Sequence, residues 1–137
     1  MITLEISKKF NKNNLWGNID SEIVFKQLDG FLSEISSNFK FIEVNLNGIS
    51  SIDDSFIKQV FIKILEQPYF QEGKSLVFSN PSSFEILYYI NETFKKNSKF
   101  AFVKINDKIS TLGKESFIDK STLLMMNELI TESFEHV

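Results

Sequence analysis

Between residues 41 and 65 the hydrophobic period of the chain changes once, and that change limits the folds open to it. Phe41-Ile42-Glu43-Val44-Asn45-Leu46 is a short, strongly apolar run of the kind a central strand carries. Phe56, Ile57, Val60, Phe61, Ile64 and Leu65 then recur at the spacing of one helix face, with Lys58, Gln59, Lys63 and Glu66 on the other. A strand handed on to an amphipathic helix through a short link is half of a strand–helix–strand crossover. The alternation continues downstream. Ser75-Leu76-Val77-Phe78-Ser79 predicts a strand, Phe84, Leu87, Tyr88, Ile90 and Phe94 the apolar face of a helix, and Phe100-Ala101-Phe102-Val103-Lys104-Ile105 another strand. Strands joined through helices imply an α/β fold with a mixed, mostly parallel sheet.

The remaining segments fill in this frame. Ile2-Thr3-Leu4-Glu5-Ile6-Ser7 alternates and predicts a first strand, followed by a polar loop over 8–14. Leu15-Trp16-Gly17-Asn18 predicts a short second strand returning along the first, with Gly17 at a bulge or a close backbone approach. Val24, Leu28, Phe31, Leu32 and Ile35 predict a helix over 21–36 capped by Asp20 or Ser21. Pro68 closes the helix that begins near Ser55, and Ser82 with Glu85 has capping-box spacing. Residues 106–117 carry no clear pattern, with Gly113 as a break. Leu123, Met126, Ile130 and Phe134 predict a last helix capped by Asp119 or Ser121. The expectation is one domain over 1–137, a core of 2–105 with a helical tail of 106–137, containing about four or five strands and about four helices.

Composition removes several classes of function. With 137 residues the chain can bury roughly two-thirds of its unfolded surface without a disulfide or metal staple. It has no cysteine, so thiolate chemistry is excluded, and its single histidine is the penultimate residue, His136, which leaves no basis for a His-dependent triad or a multi-His metal site. No cofactor or metal is expected. All 15 basic residues are lysines, so the guanidinium that best recognises phosphates and guanine is missing, and the net charge of −3 arises entirely within 106–137, where six acids meet three lysines. Both features argue against nucleic-acid binding. No leader is expected before the first strand, and no apolar run approaches the roughly 20 residues of a membrane span. The expected location is the cytoplasm. The 15 phenylalanines are read as core packing.

The candidate site is the junction itself, where Asp53, Asp54 and Ser55 meet the end of a strand pattern and the start of a helix. Strand ends are where ligands gather in open α/β sheets. Two readings stand together. Asp-Asp-Ser before an apolar helix is what N-capping looks like. A hydroxyl in the first turn also sits near unpaired amides and the positive end of the helix dipole, which would accommodate a phosphate of charge about −1.5 to −2. The two carboxylates would repel that phosphate, or mimic it. Without a histidine or further clustered acids, an acid–base dyad or metal centre is discounted.

Three pieces of the chain resemble STAS domains, the family of bacterial anti-sigma-factor antagonists and related modules. Leu15-Trp16-Gly17-Asn18-Ile19-Asp20 resembles the family's second strand, glycine and acidic helix start. The stretch 41–55 resembles its central strand, small loop and Asp-Ser-Ser-type motif, and 75–105 its next strand, helix and strand, so the resemblance covers about residues 2–105. Ile52-Asp53-Asp54-Ser55-Phe56 overlays that motif with Asp54 in place of the first serine and Phe56 in place of glycine, closer to a STAS-like variant group with Ser-Phe at this junction. The resemblance implies a non-catalytic regulatory module, not an enzyme, with Ser55 as the phosphate acceptor. It implies docking through Asp53, Asp54, Lys58 and Gln59 onto a protein partner such as a GHKL-type serine kinase or an anti-sigma factor, to which any catalysis would belong. The alternatives are a STAS-like structural subunit of a transporter or lipid-transport assembly, or a small-molecule or nucleotide-binding module. A homodimer is also left open.

Overall fold

The computed structural model describes residues 2–35, 40–71 and 73–114. Five strands form one sheet in the order β1 (Ile2–Glu5), β3 (Phe41–Asn45), β5 (Ser75–Ser79), β6 (Phe100–Ile105) and β7 (Lys108–Gly113). The first four run parallel and β7 runs antiparallel to β6. Two further short strands, β2 (Asn14–Leu15) and β4 (Ser51–Ile52), pair in parallel as a separate two-stranded ribbon. Four helices connect them: α1 (Ile6–Phe10), α2 (Gly17–Glu34), α3 over residues 54–65, and α4 (Phe84–Lys96). The chain is therefore α/β with a mixed, mostly parallel sheet, as its alternating periods require. The helix expected beyond Asp119 lies outside the described residues.

The core joins one face of the sheet to the helices. Leu4, Ile42, Val44, Leu76, Phe78, Ala101 and Val103 from the strands pack with Val24, Leu28 and Leu32 of α2, Phe56, Ile57, Val60, Phe61 and Ile64 of α3, and Ile90 and Phe94 of α4. Phenylalanine supplies its spine. Phe56, Phe61, Phe78 and Phe94 make successive edge-to-face contacts with ring centroids 5.6, 5.2 and 5.8 Å apart, carrying one aromatic chain from α3 through β5 to α4. This arrangement places the positive ring edge on the negative ring face and adds about 0.5–1.5 kcal/mol per pair to the burial itself.

Several expectations are corrected. The first strand ends at Glu5, and Ile6 instead begins α1, whose end at Asn11 is left-handed (φ 53°). The second strand is β2, which joins β4 rather than returning along β1. Helix α2 starts at Gly17, so Asp20 and Ser21 lie inside its first turns and are not its cap. Ser83, not Ser82, caps α4, its Oγ accepting from the Ile86 amide at 3.4 Å, while the Ser82 hydroxyl donates to the Ile49 carbonyl. Phe84, the first residue after that cap, overhangs the core and is 87% exposed, and Tyr88 one turn on is 61% exposed. Residues 108–113 are a strand, not part of a helical tail. They are joined to β6 by a two-residue turn in which Asn106 and Asp107 both take positive φ (49° and 66°), the type I′ geometry that matches the strand twist.

Helix α3 is not a regular α-helix. Its middle, Ile57–Ile62, is π-helical, with α-helical turns at Asp54–Phe56 and Lys63–Leu65. Bonding to the fifth residue changes the angular step between side chains, and Ile62, outside the stripe read from the sequence, becomes buried while Leu65 is half-buried.

Candidate docking site at the meeting of two helix starts

Two strand-to-helix transitions lie side by side. Leu15 pairs with Ile52, and the Asp53 amide extends the ribbon to the Leu15 carbonyl at 3.2 Å. The residues that follow this pair, Trp16 and Asp53, are the N-caps of α2 and α3. The register of a two-strand ribbon thus brings two helix N-termini together. Each presents amides without partners in its own helix and the positive end of a dipole.

Asp53 serves both starts. Its Oδ1 accepts from the Phe56 amide at 2.8 Å, and its two oxygens accept from the Gly17 amide at 3.0 and 3.1 Å. Trp16 has no side chain able to cap α2, so the Gly17 amide is capped by a residue 36 positions further along the chain. The capping reading of Asp53 holds, and holds twice over.

A second carboxylate closes the α2 side. Asp20 is buried, accepts from the Trp16 amide at 2.9 Å and pairs with Lys12 Nζ at 2.7 Å. Burial works against its charge, but the Lys12 hydrogen bond, the Trp16 amide and the lysine's charge together outweigh it, and the carboxyl titrates below its usual range. A depressed folded-state pKa means stability that is complete above the unfolded value and is lost as pH falls through the folded one. The stability gap between wild type and Asp20→Asn is therefore expected to stay constant from neutral pH to about pH 5 and to narrow below the ordinary value of 3.8. Urea melts across that range measure it, and a gap indifferent to pH would show that the carboxylate charge plays no part.

Ser55 is half-buried and lies against the backbone of Gly17. A Cβ on Gly17 would collide with the Ser55 Oγ and Cβ and stand 2.6 Å from the Phe56 nitrogen. The glycine is there because the two helix starts touch, so the close backbone approach expected at Gly17 is present and the bulge is not. Ser21 adds a second tie, its one hydroxyl hydrogen shared between the Gly17 carbonyl and Gln59 Oε1 on α3, both within hydrogen-bonding distance of its oxygen. Asp54 and Lys58 are exposed. Asp54 faces α4, where Thr93 Oγ1 donates to it at 3.4 Å. Tyr89 on α4 titrates above its usual value, chiefly through its hydrogen bond to Glu85 and to a lesser degree through the charge of Asp54.

The structure thus brings Asp53, Ser55 and Gln59 into one junction, Asp53 and Gln59 with their polar groups engaged on α2, and leaves Asp54 and Lys58 as its solvent-facing charges. Trp16, Asp20 and Ser21 belong to it as well, the latter two read from the sequence only as a helix cap. Trp16 is 45% exposed beside this junction, and Ile19 and Ile23 continue an exposed apolar stripe along α2. The one signal for these residues in the sequence was the Trp-Gly pair followed by an acid. Among the described residues no group of three or more His, Cys, Asp or Glu is placed to hold a metal ion, and no helix is long and apolar enough to cross a membrane.

Comparison of the chain with models of known protein families found no match, and comparisons with curated proteins and with solved structures found none either.

Proposed function

We propose that the chain is a non-catalytic interaction module that docks a protein partner through the α2–α3 junction and is switched by phosphorylation of Ser55. The observation that carries this reading is the position of Ser55, whose hydroxyl is wedged against Gly17 where two helix starts meet. A phosphate on that hydroxyl would crowd the Gly17 backbone. It would also compete with the Asp53 carboxylate for the Gly17 and Phe56 amides, and two acids beside it would repel it. Modification would therefore part the two helices and change the shape of the surface that Trp16, Asp54 and Lys58 present. The signal is a rearrangement rather than an added charge alone.

One observation favours a second reading. Asp53 already fills the amide cradle, so the junction is anionic and braced without modification, which suits constitutive docking as a subunit of a larger assembly. Incubating the full chain with GHKL-type serine kinases and ATP, followed by intact-mass analysis, separates the two. The switch predicts a single added phosphate, absent from Ser55→Ala. A Ser55 that is never modified, with Ser55→Ala retaining every native partner in a pull-down, would leave constitutive docking as the reading.

A further inference from the structure

Strands β1, β3, β5 and β6 are joined through helices, each step moving one place further in the same direction across the sheet. Right-handed crossovers in one direction put every connecting helix on the same face. The core agrees, since its strand members Ile42, Val44, Leu76, Phe78, Ala101 and Val103 all point to that face. Their neighbours along the strands point the other way. Thr3, Glu43, Val77, Phe102 and Thr111 form one row across this second face, with Phe41 and Phe100 in the row beside it.

A sheet with helices on one face only leaves the other in water, and its large side chains are then exposed. Here Val77 and Phe102 are 0% exposed and Phe41 6%, whereas Thr3 on β1 is exposed. The second face is therefore covered over β3, β5 and β6, and the cover stops short of β1. Glu43, the carboxylate on this buried part, accepts from Ser79 Oγ at 2.5 Å. It is served from within the sheet, so the cover need bring no donor and can be apolar.

The sequence beyond β7 has the length and the pattern for this. Leu123, Met126, Ile130 and Phe134 fall on one side of a helix, and Glu128, Glu132 and Glu135 fall on the opposite side. A helix about 10 Å across covers two to three strands. The starting point is also right. Strand β7 ends at Gly113, and β6 and β5 lie about 5 and 10 Å in from it. The eight residues 115–122 span about 12 Å even if helical, so Leu123 can reach its own sheet without exchange with a second copy. We propose that the chain's own C-terminal segment docks on the second face as a helix through 123–134. It sets Leu123, Met126, Ile130 and Phe134 on Phe41, Val77 and Phe102 and turns the three glutamates to water. The excess negative charge of the chain then forms an acidic ridge on the side of the sheet away from α2 and α3.

The methionines test this in the full chain, because Met126 belongs to the docked side and Met125 to the opposite one, and the only other is Met1. With methyl-13C-methionine labelling, the Met126 methyl, assigned by its loss in Met126→Leu, is expected to show nuclear Overhauser contacts to the ring of Phe41, Phe100 or Phe102. The Met125 methyl is expected to show none. Met126→Lys is expected to lower the folded-to-unfolded ratio about tenfold or more in urea melts, and Met125→Lys to leave it unchanged. Should Met126→Lys fail to fold, the wild-type contacts still decide. The proposal is overturned if the Met126 methyl contacts none of these rings, if the two lysine variants behave alike, or if sedimentation finds a dimer that Met126→Lys dissociates, which would make the occupant a second copy's segment.

Discussion

Replacing Asp53 with alanine is expected to destabilise the protein by about 2–3 kcal/mol, more than the loss of an ordinary helix cap. One side chain ends two helices. A capping residue is worth about 1 kcal/mol, with a range of roughly 0.5–2, and Asp53 accepts from the first turn of α3 and from the start of α2. The carboxylate also faces two positive helix ends, each adding a few tenths to 1 kcal/mol. Asp53→Asn keeps one acceptor oxygen but loses the charge and one of the paired bonds, so about half the effect is expected. Urea unfolding of wild type and both variants measures the series. If Asp53→Ala cost no more than a single cap, the bond to Gly17 would contribute nothing to stability.

Gly17→Ala is expected to be as severe or worse, about 2–4 kcal/mol, although alanine is the better helix former. A methyl group at this site has no space. It would meet the Ser55 side chain and the Phe56 backbone nitrogen, and only the first can be trimmed away. Overpacking costs typically 1–3 kcal/mol, and here it would also displace the Asp53 bonds that depend on the same contact. The double variant Gly17→Ala/Ser55→Gly removes the side-chain collision and leaves the backbone one, so partial recovery is expected. Full recovery would mean that the Phe56 backbone can shift freely. Little change in Gly17→Ala alone would mean that the helix starts are not in tight contact, and the crowding argument for Ser55 would fall with it.

The parts of this architecture that could be read from sequence are those with a period long enough to be seen. Strands β5 and β6 fall where Ser75–Ser79 and Phe100–Ile105 predicted them, and the buried stripe of α3 is close to the one read from residues 56–65. The ribbon of β2 and β4 was not legible, because two-residue strands have no alternation to detect. The start of α2 was misplaced for a different reason. Its cap is not local, and Trp16-Gly17 looks like a helix start only when Asp53 is beside it. The β6–β7 hairpin was legible in principle. Asn106-Asp107 between two runs of strand-forming residues is a turn signal, obscured by the polar residues of β7, which is an edge strand and is polar for that reason.

For the candidate site, residue types were readable and their division of labour was not. Asp53, Asp54 and Ser55 stood out at once as a group. That the first would be a brace for two helices, the second a surface charge and the third a wedge against glycine depends on an approach between segments almost forty positions apart, which no local pattern encodes.

The placement of Trp16 has an optical consequence. It is the sole tryptophan, and it sits half in solvent at the head of α2 rather than in the phenylalanine spine. Its emission therefore reports on the junction and is nearly blind to the core. Opening of the two helix starts would change the colour and quenching of this one fluorophore while the far-ultraviolet dichroism of the sheet and helices stayed almost constant, so the protein carries its own dye at the place where its signalling is proposed to occur.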